Sequence, residues 1–99
     1  MSNSRTVWVY VICDHDADRV KVGISNDVSR RLLSLQPGNP NRLRVAHTFP
    51  CKDRDTATKI ERQFHETHGD EFGMCGEWFG MPPDLAAIKI QELIGGNYD

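Results

Sequence analysis

A chain of 99 residues with 14 acidic and 12 basic side chains and a formal net charge of −2 has room for one domain and one small core. Its 38% hydrophobic and 26% charged residues exclude the compositions of disordered, collagenous and low-complexity chains. No apolar run approaches the roughly 18 residues that span a bilayer. The opening Met-Ser-Asn-Ser-Arg lacks a secretory signal pattern, so a cytoplasmic protein without membrane attachment is expected.

Charge is unevenly distributed. Residues 19–50 carry a net +5, against −2 for residues 1–18 and −5 for residues 51–99. A basic middle in an acidic protein fits a strip that contacts phosphates, with Arg42 and Arg44 in it, or simply a solvated basic face. Cys13, Cys51 and Cys75 are odd in number and widely spaced. They fit neither a disulfide framework nor a zinc knuckle and are expected to be reduced.

Val7 to Cys13 is apolar at both alternate sets of positions, the pattern of a strand covered on both faces. A polar turn through Asp14–Asp18 leads to Arg19–Ser25, where Val20, Val22 and Ile24 alternate with Lys21, Gly23 and Ser25. The pair reads as a hairpin. Ser25-Asn26-Asp27 offers helix caps, Val28, Leu32 and Leu35 form an apolar line, and Pro37-Gly38-Asn39-Pro40 stops the helix.

Leu43 to Phe49 reads as a third strand, and Asp53 or Asp55 can cap a second helix lined by Ala57, Ile60 and Phe64. A glycine-rich loop follows with Gly73, Gly76 and Glu77-Trp78-Phe79, in which Trp78 and Phe79 are expected to pack as core. Pro82-Pro83-Asp84 opens a last helix to about Ile94, ahead of a polar tail. The order β-β-α-β-α-(β)-α predicts one α+β domain, a small three-stranded antiparallel sheet with helices packed against it.

Helical geometry sorts the charged residues. Arg31 falls roughly 65° from the apolar line of the first helix, whereas Arg30 falls roughly 165° away. Glu61 lies about 65° from the centre of the second helix's apolar face, with His65 one turn on. A carboxylate at such a margin needs a cation, hydrogen bonds or a metal to compensate its desolvation. A salt bridge and a metal ligand both remain open for Glu61.

These motifs in order, V-Y-V-I, K-V-G-I-S, N-D-V-S-R-R-L, I-E-R-Q-F-H and G-E-W-F, resemble the GIY-YIG nuclease superfamily. Within it they look like the short phage, bacterial and fungal branch of the meiotically up-regulated-gene type. The resemblance runs from about Val7 to Phe79. It implies a metal-dependent DNA endonuclease or nicking enzyme. Tyr10 and Gly23 match the first two motifs, Arg31 the helix arginine, and Glu61 the metal-binding glutamate. The chain departs from the pattern at Trp8 and Val9, at Lys21 in place of the second tyrosine, and at Leu35 where some relatives carry histidine.

On this resemblance Glu61, with His65 as a possible further ligand, would hold one Mg²⁺ or Mn²⁺. Arg31 would clamp a phosphate oxygen, Tyr10 would take a proton from the attacking water, and Lys21 would assist if it shares Tyr10's face. Gly23, Ser25, Arg42 and Arg44 would meet the DNA. One domain leaves sequence specificity weak or borrowed from a protein partner. The alternatives are a non-catalytic nucleic-acid-binding module and a regulatory protein-interaction domain using the acidic last third.

Overall fold

A computed structural model describes residues 6–14, 18–73 and 78–98. Four strands form one antiparallel sheet in the order β3-β1-β2-β4, comprising β1 (Val7–Asp14), β2 (Arg19–Ser25), β3 (Leu43–Cys51) and β4 (Trp78–Phe79). Three helices accompany it: α1 (Val28–Leu35), α2 (Arg54–Phe72) and α3 (Pro83–Tyr98). The α+β class and the element order stand as the sequence predicts. The bracketed strand is present as two residues that extend the three-stranded core sheet to four.

Central β1 is buried on both faces because each face carries its own helical layer. Val7, Val9, Val11 and Cys13 point with Val20 and Val22 into a cluster completed by Ala57, Ile60 and Phe64 of α2 and Ala86 and Ile90 of α3. Tyr10 and Ile12 point the other way, against Leu43 and the apolar line Val28, Leu32 and Leu35 of α1. Phe79 joins the first cluster and Trp78 packs on the second. Each large apolar side chain buried in this way stabilises the fold by roughly 1.5–3 kcal/mol.

The local signals act as expected at most helix ends. Asp27 caps α1 by accepting from the Arg30 N–H at 3.1 Å. A 3-10 turn over Gln36–Gly38 ends that helix at the proline–glycine cluster. Asp53 caps α2, accepting from the Thr56 N–H at 2.8 Å. The last helix differs: α3 continues to Tyr98 instead of ending near Ile94. Past Ile94 there is no proline to stop it, and glycine weakens a helix by only about 1 kcal/mol per residue.

The Asp53 cap makes stability depend on pH. The Thr56 amide holds the Asp53 carboxyl below its usual range, so its contribution is present above pH 4 and fades as pH falls through the lowered value. Asp53→Ala should lower the Tm at pH 7, Asp53→Asn should restore most of it, and the Asp53→Ala deficit should shrink towards pH 2. Thermal unfolding followed by circular dichroism checks this.

Candidate active site

The site is set by the register of the hairpin. Tyr10 pairs with Gly23, Ile12 with Lys21 and Trp8 with Ser25. Directly paired residues share a face of the sheet. Tyr10, Lys21, Gly23 and Ser25 therefore belong together, on the face that α1 covers. The sequence left the side of Lys21 open, and this register puts it diagonally beside Tyr10.

Tyr10 is 2% exposed and its ring occupies the space a side chain at position 23 would need. A Cβ built on Gly23 would lie 2.6 Å from Tyr10 Cζ and still nearer its hydroxyl oxygen. Gly23 is thus required by the tyrosine itself, a reason the sequence did not reveal. The hydroxyl accepts a hydrogen bond from Arg31 Nε at 3.3 Å, long for a strong N–H···O bond but enough to tie α1 to the sheet.

Arg31 is exposed and borders a shallow cleft of about 230 Å³ with Ser25, Asn26, Asp27, Arg30 and Ser34. Arg30, expected on the far side of the helix, borders the same cleft, so both guanidinium groups contribute to its charge. Of the two, Arg31 makes the bond to Tyr10. Ser25 builds the turn into α1, its hydroxyl oxygen accepting the Asp27 N–H at 2.9 Å.

Lys21 is 8% exposed, with its ammonium 5.9 Å from the centre of the Trp78 ring. The Arg19 guanidinium stacks on the same ring at 4.4 Å. Cations over an indole face are attracted by its quadrupole. Arg19 is in turn held by Asp14, a buried carboxylate that accepts from Arg19 Nε and Nη2 at 3.2 and 3.1 Å and from Asn41 Nδ2 at 3.1 Å. Sequence reasoning read Asp14 as a turn residue and gave Arg19 no role; the burial that distinguishes them leaves no mark on sequence spacing.

Glu61 stands elsewhere. Its helix packs on the opposite face through Ala57, Ile60 and Phe64, and Glu61 is half-buried at the margin. One turn on, His65 Nε2 lies 3.2 Å from the Val22 carbonyl oxygen, so that nitrogen donates to β2 and the ring packs edge-on against Phe79 at 4.8 Å. Residues four apart share a helix flank, which puts Glu61 on the flank that borders β2. Among the described residues no group of three or more acidic, histidine or cysteine side chains gathers. A single carboxylate still suits Mg²⁺ or Mn²⁺, hard ions that use one or two carboxylates with water and substrate phosphates.

The family model of the T5orf172 domain matches residues 7–93, a span that takes in all four strands, α1 and α2. This chain belongs to the T5orf172 domain family. It is a family of nuclease-related domains. No curated protein and no solved structure matches the chain.

In this T5orf172 domain the basic strip expected over residues 19–50 is split. Arg42 is exposed and borders a separate cleft between α1 and the start of β3 with Leu32, Leu33 and Gln36. Arg44 pairs with Cys13 and so stands on the face opposite Tyr10. The cause is an irregularity in the β1–β3 ladder: Val11 pairs with His47 but Ile12 with Val45. In an uninterrupted ladder Ile12 would pair with Ala46, and Arg44 would oppose Asp14 and share Tyr10's face. Burial raises the thiols of Cys13, against the nearby Arg44, and of Cys51; both are free, and both are fully buried in the core. Cys75, Gly76 and Glu77 lie outside the described residues. No helix of the described residues is long and apolar enough to cross a membrane.

The close approach of Tyr10 to Gly23 has a measurable consequence. Gly23→Ala should destabilise the domain by about 1–3 kcal/mol, the usual cost of overpacking. In a Tyr10→Leu background the same substitution should cost much less. Denaturant unfolding of the four proteins of this cycle gives the coupling, and equal costs in both backgrounds would refute the steric account.

Proposed function

We propose that this chain is a divalent-metal-dependent DNA endonuclease or nicking enzyme, allied to the meiotically up-regulated-gene type of GIY-YIG nuclease. The observation that carries this reading is the bond from Arg31 Nε to Tyr10 Oη. It joins the buried Tyr10 hydroxyl to a cation that borders a cleft together with Arg30, inside a family of nuclease-related domains.

Arg31 is proposed to clamp a non-bridging oxygen of the scissile phosphate through its guanidinium fork. Arg30 adds attraction for the neighbouring backbone. Tyr10 Oη, kept in place by the Arg31 bond and the wall of Gly23, is proposed to take a proton from the attacking water while passing its own hydroxyl proton to a phosphate oxygen, so that the side chain ends as it began. Lys21 supplies positive charge on the same face. Glu61 is the residue proposed to hold Mg²⁺ or Mn²⁺, which when bound would act as a Lewis acid and stabilise the leaving oxygen. His65, with Nε2 on the Val22 carbonyl, is proposed to fix that flank of α2 against β2. Arg42 would meet the DNA away from the cleft, and Arg44 only from the opposite face.

One observation favours a second reading, a DNA-binding module without catalysis. Glu61 rides on a helix that packs against the face opposite Tyr10. Incubating the protein with supercoiled plasmid and single-stranded DNA in Mg²⁺, Mn²⁺ or EDTA separates the two. Nicking that needs the ion supports the nuclease. Salt-sensitive binding without nicking supports the module.

Two sets of variants test the residue roles. Glu61→Gln removes the charge with little change of shape and should lower cleavage by orders of magnitude while the fold is kept; cleavage equal to the parent's would remove Glu61 from the site. Arg31→Ala should lower turnover by roughly 10²–10³ at saturating DNA, the effect of losing a donor that stabilises the transition state. Arg30→Ala should weaken binding and reduce the salt slope by about one unit, with turnover near the parent's. Equal turnover for the two arginine variants would favour the binding module.

A further inference from the structure

A second cleft adjoins the first. Trp8, Asn26, Asp27, Val28, Ser29 and Thr48 border a shallow cleft of about 280 Å³, and Asn26 and Asp27 border both spaces. Trp8 pairs with Ser25 and stands two residues before Tyr10 on the same face of β1. That spacing is about 6.5–7 Å along a strand. Among the described residues Trp8 packs in neither core cluster, although Val7, Val9, Tyr10, Val11 and Ile12 around it all do. A half-buried indole that the core does not use stands at the edge of the proposed site.

The two clefts differ in charge. The first carries two guanidinium groups. Among the described residues the second has no basic side chain in its lining and one carboxylate, along with an amide and two hydroxyls. Such a lining disfavours an anion and suits a neutral, planar ring that stacks on the indole and exchanges hydrogen bonds at its edge. Its volume is at the lower limit of small-molecule pockets, room for one ring system.

We propose that the Trp8 cleft takes an unpaired nucleobase of the DNA strand whose phosphate lies against Arg31, so that the substrate is single-stranded or locally unpaired there. The proposal rests on the DNA reading above and adds a substrate class to it. A base inside a duplex is stacked on its neighbours on both faces and has no free face to lay on a half-buried indole. An unpaired base has one, and stacking on an aromatic ring is how single strands are held without sequence preference. The loop of Asn26 and Asp27 then divides base from phosphate within one nucleotide.

The test is fluorescence anisotropy of labelled oligonucleotides in EDTA, where an ion-dependent nuclease cannot cut. The parent, Trp8→Ala and Trp8→Phe are each titrated with single-stranded DNA, a fully paired duplex, and a single strand carrying a run of abasic sites. Trp8→Ala should lose roughly tenfold or more in affinity for the single strand and change little for the duplex. Trp8→Phe should retain most of the affinity, and the abasic strand should bind the parent about as weakly as the intact strand binds Trp8→Ala. Equal losses on single strand and duplex, or no loss on either with an unchanged Tm, would overturn the proposal. Should Trp8→Ala not fold, the parent alone decides: equal binding of intact and abasic strands overturns it. A parent that never cuts yet shows these preferences in EDTA would sink the nuclease reading and leave this one standing. A parent that binds no form of DNA would sink both.

Discussion

The Tyr10 ring lies where a side chain at position 23 would be, and the rest of the site depends on that contact. It requires glycine opposite the tyrosine, and pairing Tyr10 with Gly23 places Lys21 and Ser25 on the same face. A slip of one residue would turn Lys21 and Ser25 into the apolar layer beneath α2 and α3 and bring Val22 and Ile24 out beside the tyrosine. The cost of burying a lysine ammonium there without compensation is one reason the register is unambiguous. The hydroxyl, held at the surface of the core, is then available to Arg31.

The other end of the hairpin is secured by polar chemistry. Asp14 is a buried carboxylate with Arg19 and Asn41 as donors. Arg19 also reaches the Asn39 side chain at 3.1 Å, and Gln36 bonds to the Asn41 carbonyl and the Leu43 amide at 2.8 and 2.9 Å. Removing one partner of such a buried pair costs about 3–5 kcal/mol because the other charge is left uncompensated. The network ties the ends of β1, the turn after α1 and the start of β3 together and holds Arg19 over Trp78. That ring in turn packs beside Lys21, so the polar network and the cationic part of the Tyr10 face share one support.

An acidic protein can still draw a polyanion to a local basic site, because the field near a surface is set by the nearest charges within about one Debye length, roughly 8 Å at physiological salt. Arg30 and Arg31 border one cleft, and the ladder irregularity carries Arg44 to the opposite face, so the positive charge of this cleft comes from those two arginines. Among the described residues the β2–β4 ladder pairs Val20 with Phe79 and Lys21 with Trp78. One residue on, α2 comes alongside, with His65 on the Val22 carbonyl and Glu61 on the same flank.

Much of this was legible in the sequence. Alternation of apolar residues, an aspartate before each of the first two helices and the proline–glycine cluster are local signals, and they determined the strands, the helices and the α+β order. Helical periodicity singled out Arg31 as the arginine beside the core and Glu61 as the carboxylate at a margin, since both follow from a fixed rotation per residue. What tertiary structure decided was everything that depends on pairing. The face of Lys21, the room Gly23 leaves for Tyr10, the removal of Arg44 from the Tyr10 face and the burial of Asp14 each follow from which residue of one strand stands opposite which residue of another. A single residue of β3 left out of the β1 ladder reverses the outcome for Arg44 while leaving its sequence neighbourhood, and every local signal in it, unchanged.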